Sequence, residues 1–249
     1  MNLNINRNLF AQVNIDSRSL SMMTTVVHRF DRPGNYECAV TQRDVTSRRF
    51  AIMVAEGGPS AAMQSQAPQP FQPAQVSINL KDTAPDLYTL KAGGYAVFHV
   101  SAGSGYAVEV YRSEKGVQAK VFDSRELKDG DVLSALVIRP GTYSVTNTIN
   151  NTKAELVVNY PELGKARRNL PPVNVECTAQ GIGQGRIQID PTQGLVFTCR
   201  VPSRIKIELA RPEDRPSRLF KGRVLARREK AGRKIVRKYR LMPSGGTQP

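Results

Sequence analysis

The chain uses one five-residue phrase twice, at 32–36 (Arg-Pro-Gly-Asn-Tyr) and at 139–143 (Arg-Pro-Gly-Thr-Tyr). Each copy follows a short apolar run and leads into a stretch where apolar and polar residues alternate, closed by an apolar run at 50–54 or 156–158. Proline holds φ near the value that a turn needs, and glycine accepts a positive φ. We therefore expect a turn at each copy, a strand that begins at each tyrosine, and β-sandwich modules built on one plan.

Length and composition favour several small β modules over one helical domain. The 249 residues are enough for one large domain or for two to three small ones. Glycine (19) and proline (16) are plentiful, tryptophan is absent, and valine, isoleucine and threonine recur in short runs. This composition is typical of short strands punctuated by turns, so the predicted fold class is all-β.

Short alternating runs separated by turn signals each predict a strand. The predicted strands are 24–30, 35–41, 49–54, 76–80, 95–100, 107–111, 118–122, 132–138, 142–147, 155–160, 173–177, 186–189, 195–199 and 204–209.

Residues 57–75 form the clearest boundary. They carry no charge and include four prolines and five glutamines, which indicates a semi-extended linker. The predicted organisation is an N-terminal β module (1–56), the Pro/Gln-rich linker (57–75), a β-sandwich (76–161), a C-terminal β module (173–210) and a basic tail (211–249). The modules at 1–56 and 173–210 are each too short for a full sandwich, and we expect that 173–210 can complete 1–56.

Within 76–161, the turn and strand segments at 92–98, 127–130, 139–145 and 154–158 resemble the cupredoxin-like group of Greek-key β-sandwiches. Immunoglobulin-like sandwiches use the same turn chemistry, so the resemblance implies a sandwich shape. Cupredoxin copper sites need two histidines, a cysteine and usually a methionine. Cys38 is followed by Met53 with no histidine between them, and 76–161 has no cysteine, so we expect no copper or other cofactor and a packed or surface role for His28 and His99.

The positive charge is concentrated at the C-terminal end. From Arg211 onward there are thirteen basic and three acidic residues, which is +10 of the formal net charge of +15. Such a segment can bind phosphates, anionic lipid or an acidic protein face. The residues predicted to contact a partner or polyanion are Arg223, Arg227, Arg228, Lys230, Arg233, Lys234, Arg237, Lys238 and Arg240.

The three cysteines fit neither a disulfide framework nor a four-ligand zinc site. Cys177 and Cys199 each lie on the apolar phase of an alternating run. They are either two small buried side chains, which we favour, or a pair that faces across a sheet.

No catalytic motif is recognisable. The glycine-rich run 181–185 is followed by a predicted strand, whereas a phosphate-binding loop should be followed by a helix, so a flexible turn is favoured. No nucleophile with a base, carboxylate pair or metal-binding helix has the usual spacing. A non-catalytic protein is therefore predicted.

The sequence predicts a structural or interaction subunit of a larger homo- or hetero-assembly; the alternative is a nucleic-acid-binding protein whose tail contacts phosphates. Residues 1–21 lack a signal-peptide pattern, and no run is long and apolar enough for a membrane helix. We expect synthesis in the cytoplasm; the sequence does not determine the final location, and a virion, an appendage and a membrane-associated complex would each fit such a subunit.

Overall fold

The computed structural model describes residues 13–56, 74–114, 116–159, 170–191 and 193–213. These residues form strands and connections without a helix, which confirms the predicted all-β class. The strands are β1 (Ile15–Asp16), β2 (Thr24–Phe30), β3 (Gly34–Gln42), β4 (Val45–Ala55), β5 (Gln75–Asn79), β6 (Leu87–Lys91), β7 (Gly94–His99), β8 (Tyr106–Glu114), β9 (Val117–Asp123), β10 (Val132–Leu136), β11 (Gly141–Asn147), β12 (Thr152–Val158), β13 (Val173–Cys177), β14 (Arg186–Ile189), β15 (Gly194–Cys199) and β16 (Ile205–Pro212).

The strands form three sheets. The central sheet has the order β13-β15-β10-β2-β7-β5, the first outer sheet β6-β4-β3-β8-β9, and the second outer sheet β1-β16-β11-β12-β14. Buried and more exposed residues alternate along most strands, so each sheet has one apolar face. These apolar faces contribute to one continuous hydrophobic core.

Both outer sheets pack on the same face of the central sheet. The Phe122 ring from the first outer sheet lies 5.7 Å from the Phe98 ring and 4.5 Å from the His28 ring of the central sheet. Val26 and Leu133 are paired neighbours on β2 and β10, and both side chains are fully buried. The molecule therefore consists of two β-sandwich-like halves that lie side by side and share the central sheet.

The two halves repeat one topology. Strands β2 to β8 of the first half correspond in order to β10 to β16 of the second, including the parallel pairs β4–β6 and β12–β14. Over the first part of each repeat the offset is constant: Tyr36 and Tyr143 are 107 positions apart, as are Val26 and Leu133. Val26 is thus paired with its own counterpart, which places a pseudo-two-fold axis at this residue pair.

The halves also exchange their first strands. A second repeated phrase, Asp-Ser-Arg, occurs at 16–18 and 123–125. The hydroxyl of Ser17 accepts a hydrogen bond from the Ile205 amide (3.0 Å), and the hydroxyl of Ser124 accepts one from the Val108 amide (2.9 Å). Since β1 pairs with β16 and β9 with β8, each half completes an outer sheet of the other half.

The Arg-Pro-Gly-x-Tyr phrases connect the central sheet to the outer sheets. Tyr36 Oη donates to the Arg32 carbonyl and Tyr143 Oη to the Arg139 carbonyl, each at 2.7 Å, a bond of the kind found at β-sandwich corners. The glycine of each phrase begins the outer strand, one residue before the predicted strands 35–41 and 142–147 and two residues before the tyrosine. Gly141 has φ +151°, and a Cβ there would lie 2.6 Å from the Arg211 carbonyl oxygen, so a side chain is excluded.

Each predicted strand is present, with ends that differ by a few residues, whereas β1 and β6 were not predicted. The strand pairing crosses the boundaries drawn from sequence. Strands of 1–56 pair mainly with strands of 76–161, and 173–210 adds strands to both the central and the second outer sheet. The division into domains stays a prediction, and residues 57–73 of the linker lie outside the described residues.

Candidate interaction face

The central sheet has one face that neither outer sheet covers. A row of neighbouring side chains crosses it in register, from β5 to β13: Ser77, Val97, Val27, Val132, Thr198 and Glu176. The three valines and Thr198 are partly buried, because β-branched side chains on adjacent strands cover one another. We call the outward side chains of the central sheet the open face.

The centre of the open face is uncharged, and its charges lie towards the ends. Arg29 contacts Asp31 (2.7 Å) and lies 6.0 Å from the ring centroid of Tyr95. Glu176 is paired with Arg200 at 3.0 Å. Because these charges are already matched locally, the open face is close to neutral, with an apolar centre of Val97, Val27 and Val132 between polar side chains.

The outer face of the first outer sheet is different in character. Glu109 accepts hydrogen bonds from Tyr111 (2.7 Å) and from Lys120 (3.3 Å), and Lys120 also reaches Asp123 at 2.8 Å. The bond to Glu109 raises the pKa of Tyr111, and the bond to Asp123 raises the pKa of Lys120. A solvated ion-pair network of this kind is typical of a surface that faces water.

A buried polar pair lies on the inner face where the halves meet. His28 Nδ1 is 2.7 Å from Asp131 Oδ1, and the Asp131 side chain is 4% exposed. The other carboxylate oxygen accepts the Lys128 amide hydrogen bond at 2.7 Å. The His28 ring stacks on Phe122, so one edge of the ring is polar and its face is apolar. This pair connects β2 to the residue preceding β10.

The residues considered for copper are not brought together. Cys38 is fully buried on the inner side of β3, where burial raises the pKa of its thiol. Met53 is 41% exposed on the opposite side of the same sheet, and His99 lies on the open face, 3.3 Å from Ser77 Oγ. Within the described ranges, no group of three or more His, Cys, Asp or Glu side chains has an arrangement that could hold a metal ion.

The glycine-rich run forms a turn followed by a strand, as predicted. Ile182 forms an isolated bridge with Cys177, and β14 begins directly after Gly185. A loop that leads into a strand lacks the helix N-terminus on which phosphate loops rely. The sequence contains no signal for the contact between this turn and Cys177.

The predicted partner contacts, from Arg223 to Arg240, lie outside the described residues. Of the basic tail, only residues 211–213 are described, and Arg211 and Pro212 belong to β16, where they pair with Thr142 and Gly141. Their role in binding therefore stays a prediction.

Comparison with protein-family models, with curated proteins and with solved structures finds no match for this chain. Across the described segments, no helix has the length and apolar content needed to cross a membrane.

Proposed function

We propose that this protein is a non-catalytic structural subunit that self-associates through the open face. The observation that supports this proposal most strongly is the uncharged row of β-branched side chains from Val97 through Val27 and Val132 to Thr198. Contiguous exposed apolar side chains of this kind commonly mark a site of protein–protein interaction. The described part of the chain contains no fourth sheet to cover it.

The size of the open face suits a weak, specific interface. Six strands at a spacing of about 4.8 Å make it about 29 Å wide, and its outward residues extend about 15 Å along the strands. Packing two such faces would bury on the order of 1,000 Å², near the lower end of specific protein interfaces. We therefore expect association that depends on protein concentration.

A second copy of this chain is the partner that fits the chemistry of the face. The neutral centre matches another neutral centre, whereas a nucleic acid or acidic protein would require unpaired cations there. The pseudo-two-fold axis gives equivalent positions similar residues, such as Val97 and Val196, so two faces can pack with apolar rows in contact.

Replacing Val27 with lysine should abolish self-association of the full-length chain, or weaken it at least about tenfold, because a charge would be buried without a partner in the sheet-on-sheet contact. The molar mass measured by light scattering across a range of concentrations checks this. Val117→Lys is the matched control, since Val117 is 68% exposed on the edge strand β9, and it should leave the mass unchanged.

Circular dichroism and the urea midpoint establish that both variants fold. A wild-type protein that stays monomeric at every concentration would refute self-association, and an unchanged mass for Val27→Lys would exclude the open face as its site.

We also propose that residues 76–161 resemble cupredoxin-like and immunoglobulin-like sandwiches in shape, and the proposal carries over no binding site from those groups. In both of those groups the sandwich serves as a scaffold on which function is added by loops or faces. The open face is the feature of this scaffold to which we assign binding.

Nucleic-acid binding through the tail is the second candidate, favoured by the +10 formal charge from Arg211 onward. If the tail binds phosphates, the logarithm of the affinity for single-stranded RNA should fall linearly with the logarithm of salt concentration, by about 0.7 per phosphate neutralised. Fluorescence anisotropy measures this slope.

Deleting residues 214–249 is the informative truncation, because it leaves β16 intact, whereas a cut at 211 would remove two residues of that strand. Unchanged RNA affinity after this deletion would rule the second candidate out. A sizing experiment on the same truncated chain separates the two candidates, since the open face remains present.

A further inference from the structure

Cys177 and Cys199 lie directly beside each other on the two parallel strands β13 and β15. Both side chains are fully buried, and both are free thiols on the inner face of the central sheet. Cα atoms of neighbouring strands are about 4.8 Å apart, which is within the range that a disulfide spans. The backbone therefore already holds the two thiols at bridging distance.

The surrounding backbone bonds hold this end of both strands in place. The Arg200 amide donates to the Cys177 carbonyl (2.9 Å), and the Cys199 amide donates to the Asp131 carbonyl (2.9 Å). The equivalent positions of the first half are occupied by Leu80 and Val100, both buried. An ordinary apolar pair thus fills this site in one half, and a pair of thiols replaces it in the other.

The two thiols lie in hydrogen-bond contact with each other. Contact with the Cys177 thiol lowers the pKa of Cys199, whereas the same contact and burial raise the pKa of Cys177. A sulfur that receives a hydrogen bond is more easily deprotonated, and the thiolate is the nucleophile in disulfide exchange. The hydrogen-bond contact therefore favours Cys199 as the attacking sulfur.

The glycine-rich turn covers the pair. Ile182 is 1% exposed and bridges to Cys177, while Gly183 donates its amide to the Glu176 carbonyl at 2.8 Å. Within the run 181–185, residues 183–185 are exposed, and Ile182 is the one residue whose side chain is buried. Because three of its five residues are exposed, this turn can open locally at a lower free-energy cost than global unfolding, and that opening admits a small reagent.

We propose that Cys177 and Cys199 form a redox-active dithiol, which a low-molecular-weight disulfide oxidises to a cross-strand disulfide that ties the edge strand β13 to β15. The Cys199 thiolate attacks one sulfur of the reagent, and one reagent thiolate leaves. The Cys177 thiol then loses its proton to solvent and attacks Cys199 Sγ, which releases the second reagent thiolate. The protein gives up two protons and two electrons, and the disulfide reagent leaves as two thiols.

The test uses the folded full-length protein, incubated with oxidised glutathione and then alkylated in denaturant. We expect alkylation of one cysteine instead of three, a proteolytic peptide in which Cys177 is joined to Cys199, and a melting temperature roughly 5–10 °C higher, because the bridge restricts the unfolded chain. Cys38→Ser should behave in the same way, and Cys177→Ser should show neither the cross-link nor the temperature rise.

Ile182→Ala provides the second measurement, since a smaller side chain should make the turn open more often and the cross-link form faster. If both cysteines stay fully alkylated in the wild type and in Ile182→Ala, the proposal is wrong. It is equally wrong if the product stops at a glutathione adduct, or if the cross-link includes Cys38.

Discussion

Leu20→Ala and Leu127→Ala should each lower the free energy of unfolding by about 2–5 kcal/mol, because each removes a fully buried leucine side chain and leaves a cavity. The two leucines are equivalent: Leu20 bridges to Tyr106 and Leu127 to Ser203, each two residues after the arginine of an Asp-Ser-Arg phrase. Urea unfolding monitored by circular dichroism measures the loss.

Because the halves exchange their first strands, we also expect them to unfold cooperatively. Either leucine variant should unfold in a single transition with the whole described fold, because neither half keeps a complete outer sheet without the other. Leu87→Ala is the control, since Leu87 is 54% exposed and its truncation should change stability by less than about 1 kcal/mol. Two separate transitions in either core variant would show that the halves unfold independently.

His28→Ala should destabilise the protein by about 3 kcal/mol, because it leaves the Asp131 carboxylate buried with one remaining partner, the Lys128 amide. The pseudo-two-fold symmetry suggests a second substitution that should offset part of this loss of stability. The residues equivalent to His28 and Asp131 are Ala135 and Thr24, which pair with each other in the same register.

Thr24 shows that a threonine can perform the backbone role of Asp131. Its hydroxyl accepts the Ser21 amide hydrogen bond at 2.9 Å, as Asp131 accepts that of Lys128. The loss in free energy of unfolding for the double variant His28→Ala with Asp131→Thr should therefore be at least about 1 kcal/mol smaller than the summed losses of the two single variants. Strict additivity in urea unfolding would mean that the pair contributes no coupling across the junction.

The positions of most strands could be predicted because alternation at period two survives in each run between proline or glycine signals. The two unpredicted strands lack this signal. Ile15–Asp16 is only two residues long, and Leu87–Lys91 lies next to Pro85 with its first residue exposed. Both depend on a neighbouring strand for their conformation, so tertiary pairing determines them rather than local pattern.

The sequence predicts the internal repeat, but it predicts neither the exchange of strands between the halves nor the open face. The repeated Arg-Pro-Gly-x-Tyr phrase correctly indicates a repeat. The Asp-Ser-Arg phrase has the same offset of 107 positions and marks the crossing between the halves, but three residues are too few to indicate a repeat by themselves. The open face could not be predicted for a different reason. Alternation shows that one face of a strand is buried, but not whether a third layer covers the other face.

The exchange of first strands also determines the order in which parts of the chain can fold during synthesis. The Ser17 hydroxyl accepts a hydrogen bond from the Ile205 amide, and the two residues are 188 positions apart in the chain. The N-terminal strand therefore has to wait, unpaired, until nearly all of the described chain has left the ribosome. A chain arranged in this way folds late and slowly, because its closing contact joins residues 188 positions apart.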